Sequence, residues 1–122
     1  MTKGEALQAW FSEFLTAYPS SNVPDDAVFP WLTYDLSAGA WGDGDISLTV
    51  NLWYYSTQEA VPDAKAQEIM DAIGRGGTYI ECDGGAILLK QGTPAWQRIK
   101  DESDIYVKRR YLNVTAEYIT EN

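Results

Sequence analysis

The sequence predicts an α+β domain, with one mostly antiparallel β-sheet of four to five strands and two helices packed on one face. Three observations predict it. Apolar residues recur at three- and four-residue steps near the start of the chain and again near its middle. Elsewhere they alternate with polar residues, and turn-forming runs rich in glycine and aspartate separate the alternating stretches.

The first helix is predicted over residues 3–18. Ala6, Leu7, Trp10, Phe11, Phe14, Leu15 and Tyr18 share one face, Thr2 and Glu5 have capping-box spacing, and Pro19 is the stop. Residues 19–28 read as a surface loop. Residues 29–36 read as a strand, with Pro30 near its start, where a missing donor does least harm. Three glycines in residues 37–44 mark a flexible connection.

Residues 45–55 are the clearest strand. Ile46, Leu48, Val50, Leu52 and Tyr54 alternate with Ser47, Thr49, Asn51, Trp53 and Tyr55, and an antiparallel hairpin with the preceding strand is expected. Ala66, Ile69, Met70 and Ile73 form the stripe of a second helix. Pro62 suits its first turn and Gly74 its end, and an earlier start at Ser56 stays open because Ser56 and Glu59 also have capping spacing.

Asp83-Gly84-Gly85 predicts a second hairpin between residues 78–82 and 86–90. Residues 91–94 are expected to turn and 96–99 to make a short helical turn. Residues 105–119 read as one long strand. Its apolar residues fall on odd positions as far as Tyr111 and on even ones from Leu112. That shift in phase predicts a bulge, or a strand buried on different faces along its length.

A chain of 122 residues, 45% hydrophobic and carrying five Trp, eight Tyr and three Phe, has room for a single domain, residues 1–122, with an aromatic core. Its net charge of −9 argues against wrapping nucleic acid, although an acidic wall would let DNA pass without adhering. Cys82, the lone cysteine, allows no intrachain disulfide. The first residues lack the unbroken apolar run of a signal peptide, and no stretch has the length of a membrane span. Folding in a cytoplasm is therefore the expectation.

The chain has no histidine, which removes the commonest general base and metal ligand. Asp43 and Asp45 lack the remaining positions of a calcium loop. The glycines at 74, 76 and 77 follow a helix, whereas a phosphate loop precedes one. Asn113-Val114-Thr115 is read as a chance sequon. No catalytic residue, cofactor or metal is expected.

Two features point to protein contacts. Ser47, Thr49, Asn51, Trp53 and Tyr55 form an uncharged strand face in a protein that is 22% charged, a composition that suits an interface as well as it suits plain β propensity. Lys108-Arg109-Arg110 is the basic cluster. Its charged side chains point to solvent, or guard a sheet edge, or pair with an acidic patch on a neighbouring copy, Lys108 and Arg110 helping to join subunits. Trp41, in the glycine-rich connection, is either tucked into the core or exposed as an anchor.

Three stretches, SAGAWGDGDISLTVNLWYYS (37–56), KAQEIMDAIG with GGTYIECDGGAILLKQGTP (65–94) and VKRRYLNVTAEYIT (107–120), resemble the tail terminator, or tail-completion, proteins of siphophages, neck proteins often labelled minor capsid proteins. The resemblance covers most of the chain as an overall pattern. It implies helices packed on a sheet and a homo-oligomeric ring, commonly hexameric, that ends the tail tube and joins it to the head connector. It also implies a virion protein, of a phage or prophage, assembled in the host cytoplasm without a cofactor. The competing expectation is a carbohydrate- or peptide-binding module that uses Trp31, Trp41, Trp53 and nearby tyrosines as stacking platforms.

Overall fold

A computed structural model describes residues 1–35, 45–100 and 103–120. Along the chain run α1 (Lys3–Phe11), β1 (Thr16–Pro19), β2 (Trp31–Tyr34), β3 (Asp45–Tyr55), α2 (Ala60–Ile73), β4 (Thr78–Cys82), β5 (Gly85–Lys100) and β6 (Val107–Thr120). The strands form one sheet in the order β1-β2-β3-β6-β5-β4. β1 runs parallel to β2, and every other pairing is antiparallel. The α+β class is as expected. The sheet is larger and more mixed than expected, with six strands in place of four to five.

The extra strand comes from the expected first helix. The Thr2–Glu5 capping box forms, but α1 stops at Phe11. Residues 16–19 pair with Trp31–Tyr34 instead, and the Gln8 amide donates to the Ala17 carbonyl at 2.6 Å. Pro19 therefore closes an edge strand, a place that tolerates its missing N–H. Phe14 folds back on Trp10, ring centres 5.0 Å apart.

Cross-strand register sends one set of side chains to a common inner face. Leu32, Tyr34, Leu48, Val50, Leu52, Leu112, Val114, Ala116, Ile87 and Leu89 are all buried there. Both helices join the same core, α1 through Leu7 and Phe11, α2 through Ala66, Ile69, Met70 and Ile73. The helix α1 contacts β1 and β4, which are opposite edges of the sheet. The sheet must therefore curl, and α1 spans the mouth of the curl. Phe11 stacks on Tyr34 at 5.3 Å near one edge, while Asp83 donates its N–H to the Met1 carbonyl at 2.6 Å at the other.

The expected irregularity of the last strand lies in its partner. β6 pairs with β3 without a break from Val107 to Glu117, so its even-numbered residues face inward throughout. The register with β5 slips between Gln91 and Trp96, where a five-residue step on β5 faces the two-residue step from Val114 to Leu112. Inward positions on β5 are odd up to Gln91 and even from Trp96. Residues 91–100 are thus strand with a bulge, and the expected turn and short helical turn do not form. The alternation of β6 looks broken in sequence because an inward position is held by Arg110.

After α2, Gly74 caps the helix at φ 75° and donates its N–H to the Met70 carbonyl at 2.9 Å, as a helix stop should. Gly77 has φ +86°, and a β-carbon there would sit 2.5 Å from the Leu89 carbonyl oxygen. Gly77→Ala should therefore destabilise the fold by about 2 kcal/mol or more, read as a lower urea midpoint with an unchanged denaturant slope.

Candidate functional site

With both helices on the inner face, the outer face of β2, β3 and β6 carries no helix. Register arranges it in rows. Trp31, Trp53, Arg109 and Ile99 form one, and Thr33, Asn51, Tyr111 and Gln97 form the next. Trp31 and Trp53 stack at 6.3 Å and 23°, and Phe29 closes on Trp31 at 4.3 Å. The Arg109 guanidinium lies 5.0 Å from the Trp53 ring centre, a cation–π distance.

Polar groups in these rows satisfy one another. The Trp53 indole N–H donates to Thr33 Oγ1 at 3.0 Å, and Arg109 Nε donates to Asn51 Oδ1 at 2.8 Å. Beside the tryptophans lies a shallow groove of about 390 Å³, lined by Val23, Trp31, Asp35, Thr49, Asn51 and Trp53 among others.

Of the residues singled out from sequence, Ser47 and Tyr55 are exposed, Thr49 and Trp53 half-buried, and Asn51 only 6% exposed beneath Arg109. Trp41 lies outside the described residues. The sequence reading gave this face to β3 alone. Trp31 and Thr33 from β2 and Tyr111 from β6 complete it, and a four-residue β2 offers too short an alternation to reveal that.

The basic cluster divides between the two sides of a central strand, so it guards no edge. Arg110 is 1% exposed on the inner face, and this corrects its assignment to subunit pairing. Its Nε donates to Asp63 Oδ1 at 2.7 Å, and its Nη2 lies 3.3 Å from Glu59 Oε1. Arg98, the inward neighbour on β5, binds the other Asp63 oxygen at 2.5 Å. Lys108 lies 3.8 Å from Glu59 and donates to the Ile105 carbonyl at 2.6 Å. Two cations thus straddle one carboxylate in the first turn of α2, where the helix dipole also favours negative charge.

Hydrogen bonding from Arg98, and next from Arg110, lowers the Asp63 pKa against the opposing effect of burial. A depressed carboxylate contributes stability above its unfolded pKa of about 4 and loses it as pH falls through the folded value. Wild-type stability should therefore fall more steeply between about pH 5 and pH 2 than that of Asp63→Asn, as urea midpoints across that range would show. Arg110→Ala leaves a hole and a partly buried carboxylate short of a partner. It should cost about 3 kcal/mol in the same assay.

Among the described residues, no three His, Cys, Asp or Glu side chains come together to hold a metal ion, and no helix is long and apolar enough to cross a membrane. Compared with protein-family models, curated proteins and solved structures, the chain matches none.

Proposed function

We propose that this chain is a structural protein of the phage head–tail neck, working as a homo-oligomeric ring that ends the tail tube and joins it to the head connector. The observation that carries the reading is the helix-free outer sheet face, uncharged on β3 from Ser47 to Tyr55 and continued by Trp31, Thr33 and Tyr111. Pre-paired polar groups and rigid stacked rings suit a protein contact, because little side-chain entropy is left to lose on association. Resemblance to tail terminator proteins supports the same reading, and the net charge of −9 suits a bore through which DNA slides. In this role the protein contributes shape and contact area, without a cofactor or a reaction of its own.

The stacking-platform alternative is less well supported. It asks for free ring faces, whereas Trp53 sits between Trp31 and Arg109 in its row.

Purified protein, alone or mixed with a siphophage tail-tube protein, should form rings visible by negative stain, with a matching mass by light scattering. A chain that stays monomeric in both conditions, and whose tryptophan fluorescence responds to glycans, would refute the neck role.

A further inference from the structure

Two buried side-chain polar atoms among the described residues lack a hydrogen-bond partner. One, Glu59 Oε1, lies in the ion-pair cluster around Arg110. The other is the hydroxyl of Tyr118, a residue only 8% exposed. A buried hydroxyl is normally bonded, because an unpaired one loses its hydration and gains nothing in its place. Burial, and next the neighbouring Cys82 sulfur, raise the Tyr118 pKa, so the group stays an O–H donor at neutral pH.

Register sets the lone cysteine beside this donor. Ile80, Ile87 and Tyr118 form one inward row of β4, β5 and β6, and Cys82 and Gly85 begin the next. Gly85 contributes no side chain to the space between the Cys82 thiol and the Tyr118 ring. The thiol packs against the core yet is only half-buried, and Gly85 is exposed, so a small solute can reach the sulfur. Charge at this corner is mixed. Asp83 binds the Met1 ammonium at 2.8 Å, and Lys3 Nζ lies 5.2 Å from the Tyr118 ring centre. The neutral hydroxyl is therefore the group that selects what Cys82 carries.

We propose that Cys82 is a peroxide-modification site, held as a sulfenic acid whose added oxygen accepts a hydrogen bond from the Tyr118 hydroxyl. The Cys82 thiolate attacks one oxygen of hydrogen peroxide. An S–O bond forms as the O–O bond breaks, sulfur gives up two electrons, and the leaving hydroxide takes a proton to become water. A single added oxygen suits a thiol at the margin of a packed core, where a bulkier adduct would have to displace its neighbours. Sulfenic acids commonly end by condensing with a second thiol, and this chain has none to offer. A hydrogen bond from Tyr118 would also tie β4 to β6 across β5. The site lies on the inner face and is independent of the ring reading.

Folded wild-type protein, treated with hydrogen peroxide and then freed of it, should gain one oxygen at Cys82 by mass spectrometry. Dimedone added afterwards should still label that residue. In Tyr118→Phe, which removes only the hydroxyl, the labelled fraction should decay about tenfold faster, the loss of one hydrogen bond to the adduct. Cys82→Ser should take no label, and circular dichroism checks each fold. As a second readout, oxidation should lower the urea midpoint of Tyr118→Phe but not that of the wild type. A Cys82 that takes no label in the folded chain overturns the proposal. Equal decay in wild type and Tyr118→Phe overturns it too, as does rapid conversion of the oxidised wild type to a disulfide-linked dimer.

Discussion

Asp63 stands where α2 meets the sheet, and the position of that helix depends on it. Arg98 from β5 spans both of its oxygens, and Arg110 from β6 shares one of them. A guanidinium buried to this degree would be very costly alone, because desolvation of an ion exceeds what a single weak contact returns. The first turn of α2 supplies the counter-charge, and Glu59 adds a second carboxylate to the same group. The ion pair therefore fixes which part of α2 lies over which strands. The apolar stripe from Ala66 to Ile73 then completes the core further along the helix.

A second constraint follows from the layer arrangement. Two helices cover a single face of a six-stranded sheet, and α1 is too short to cover much of it. The sheet responds by curling until both edge strands reach α1. Curling places β1 and β4 against a helix and so protects edges that would otherwise be open to pairing with other chains. It also leaves the opposite face without a covering layer. The wet side of such a sheet normally carries Lys and Glu. Here β3 carries Ser, Thr, Asn, Trp and Tyr from Ser47 to Tyr55, and Arg109 of the neighbouring β6 is turned down onto Trp53 and Asn51.

Much of this was legible from residues alone. The alternation in residues 45–55 defines β3 with its limits, and Asp83-Gly84-Gly85 marks the hairpin of β4 and β5. The stripe from Ala66 to Ile73 and Gly74 marks the body and end of α2. The uncharged face of β3 could be named because charge is absent from alternate residues between Ser47 and Tyr55, which is a local pattern. Misreadings occurred where local pattern and long-range pairing compete. Residues 12–18 carry helical spacing, yet the hydrogen bonds offered by β2 outweigh it. Residues 91–100 carry a proline and a glycine that signal a turn, yet continuous pairing with β6 holds them extended around a bulge.

The sequence by itself determined the α+β class, the two helices, the main hairpins and the uncharged run of alternate residues from Ser47 to Tyr55, because these depend on periodicities of two and 3.6 residues along one segment. Tertiary structure decided which strands are neighbours, and with that the meaning of each charge. Lys108, Arg109 and Arg110 are consecutive and chemically alike. One reaches an exposed pocket, one lies over an outer-face tryptophan, and one is buried against α2. A strand sends successive side chains to opposite faces, and what waits on each face comes from residues some 50 positions away. No reading of three adjacent letters contains that information.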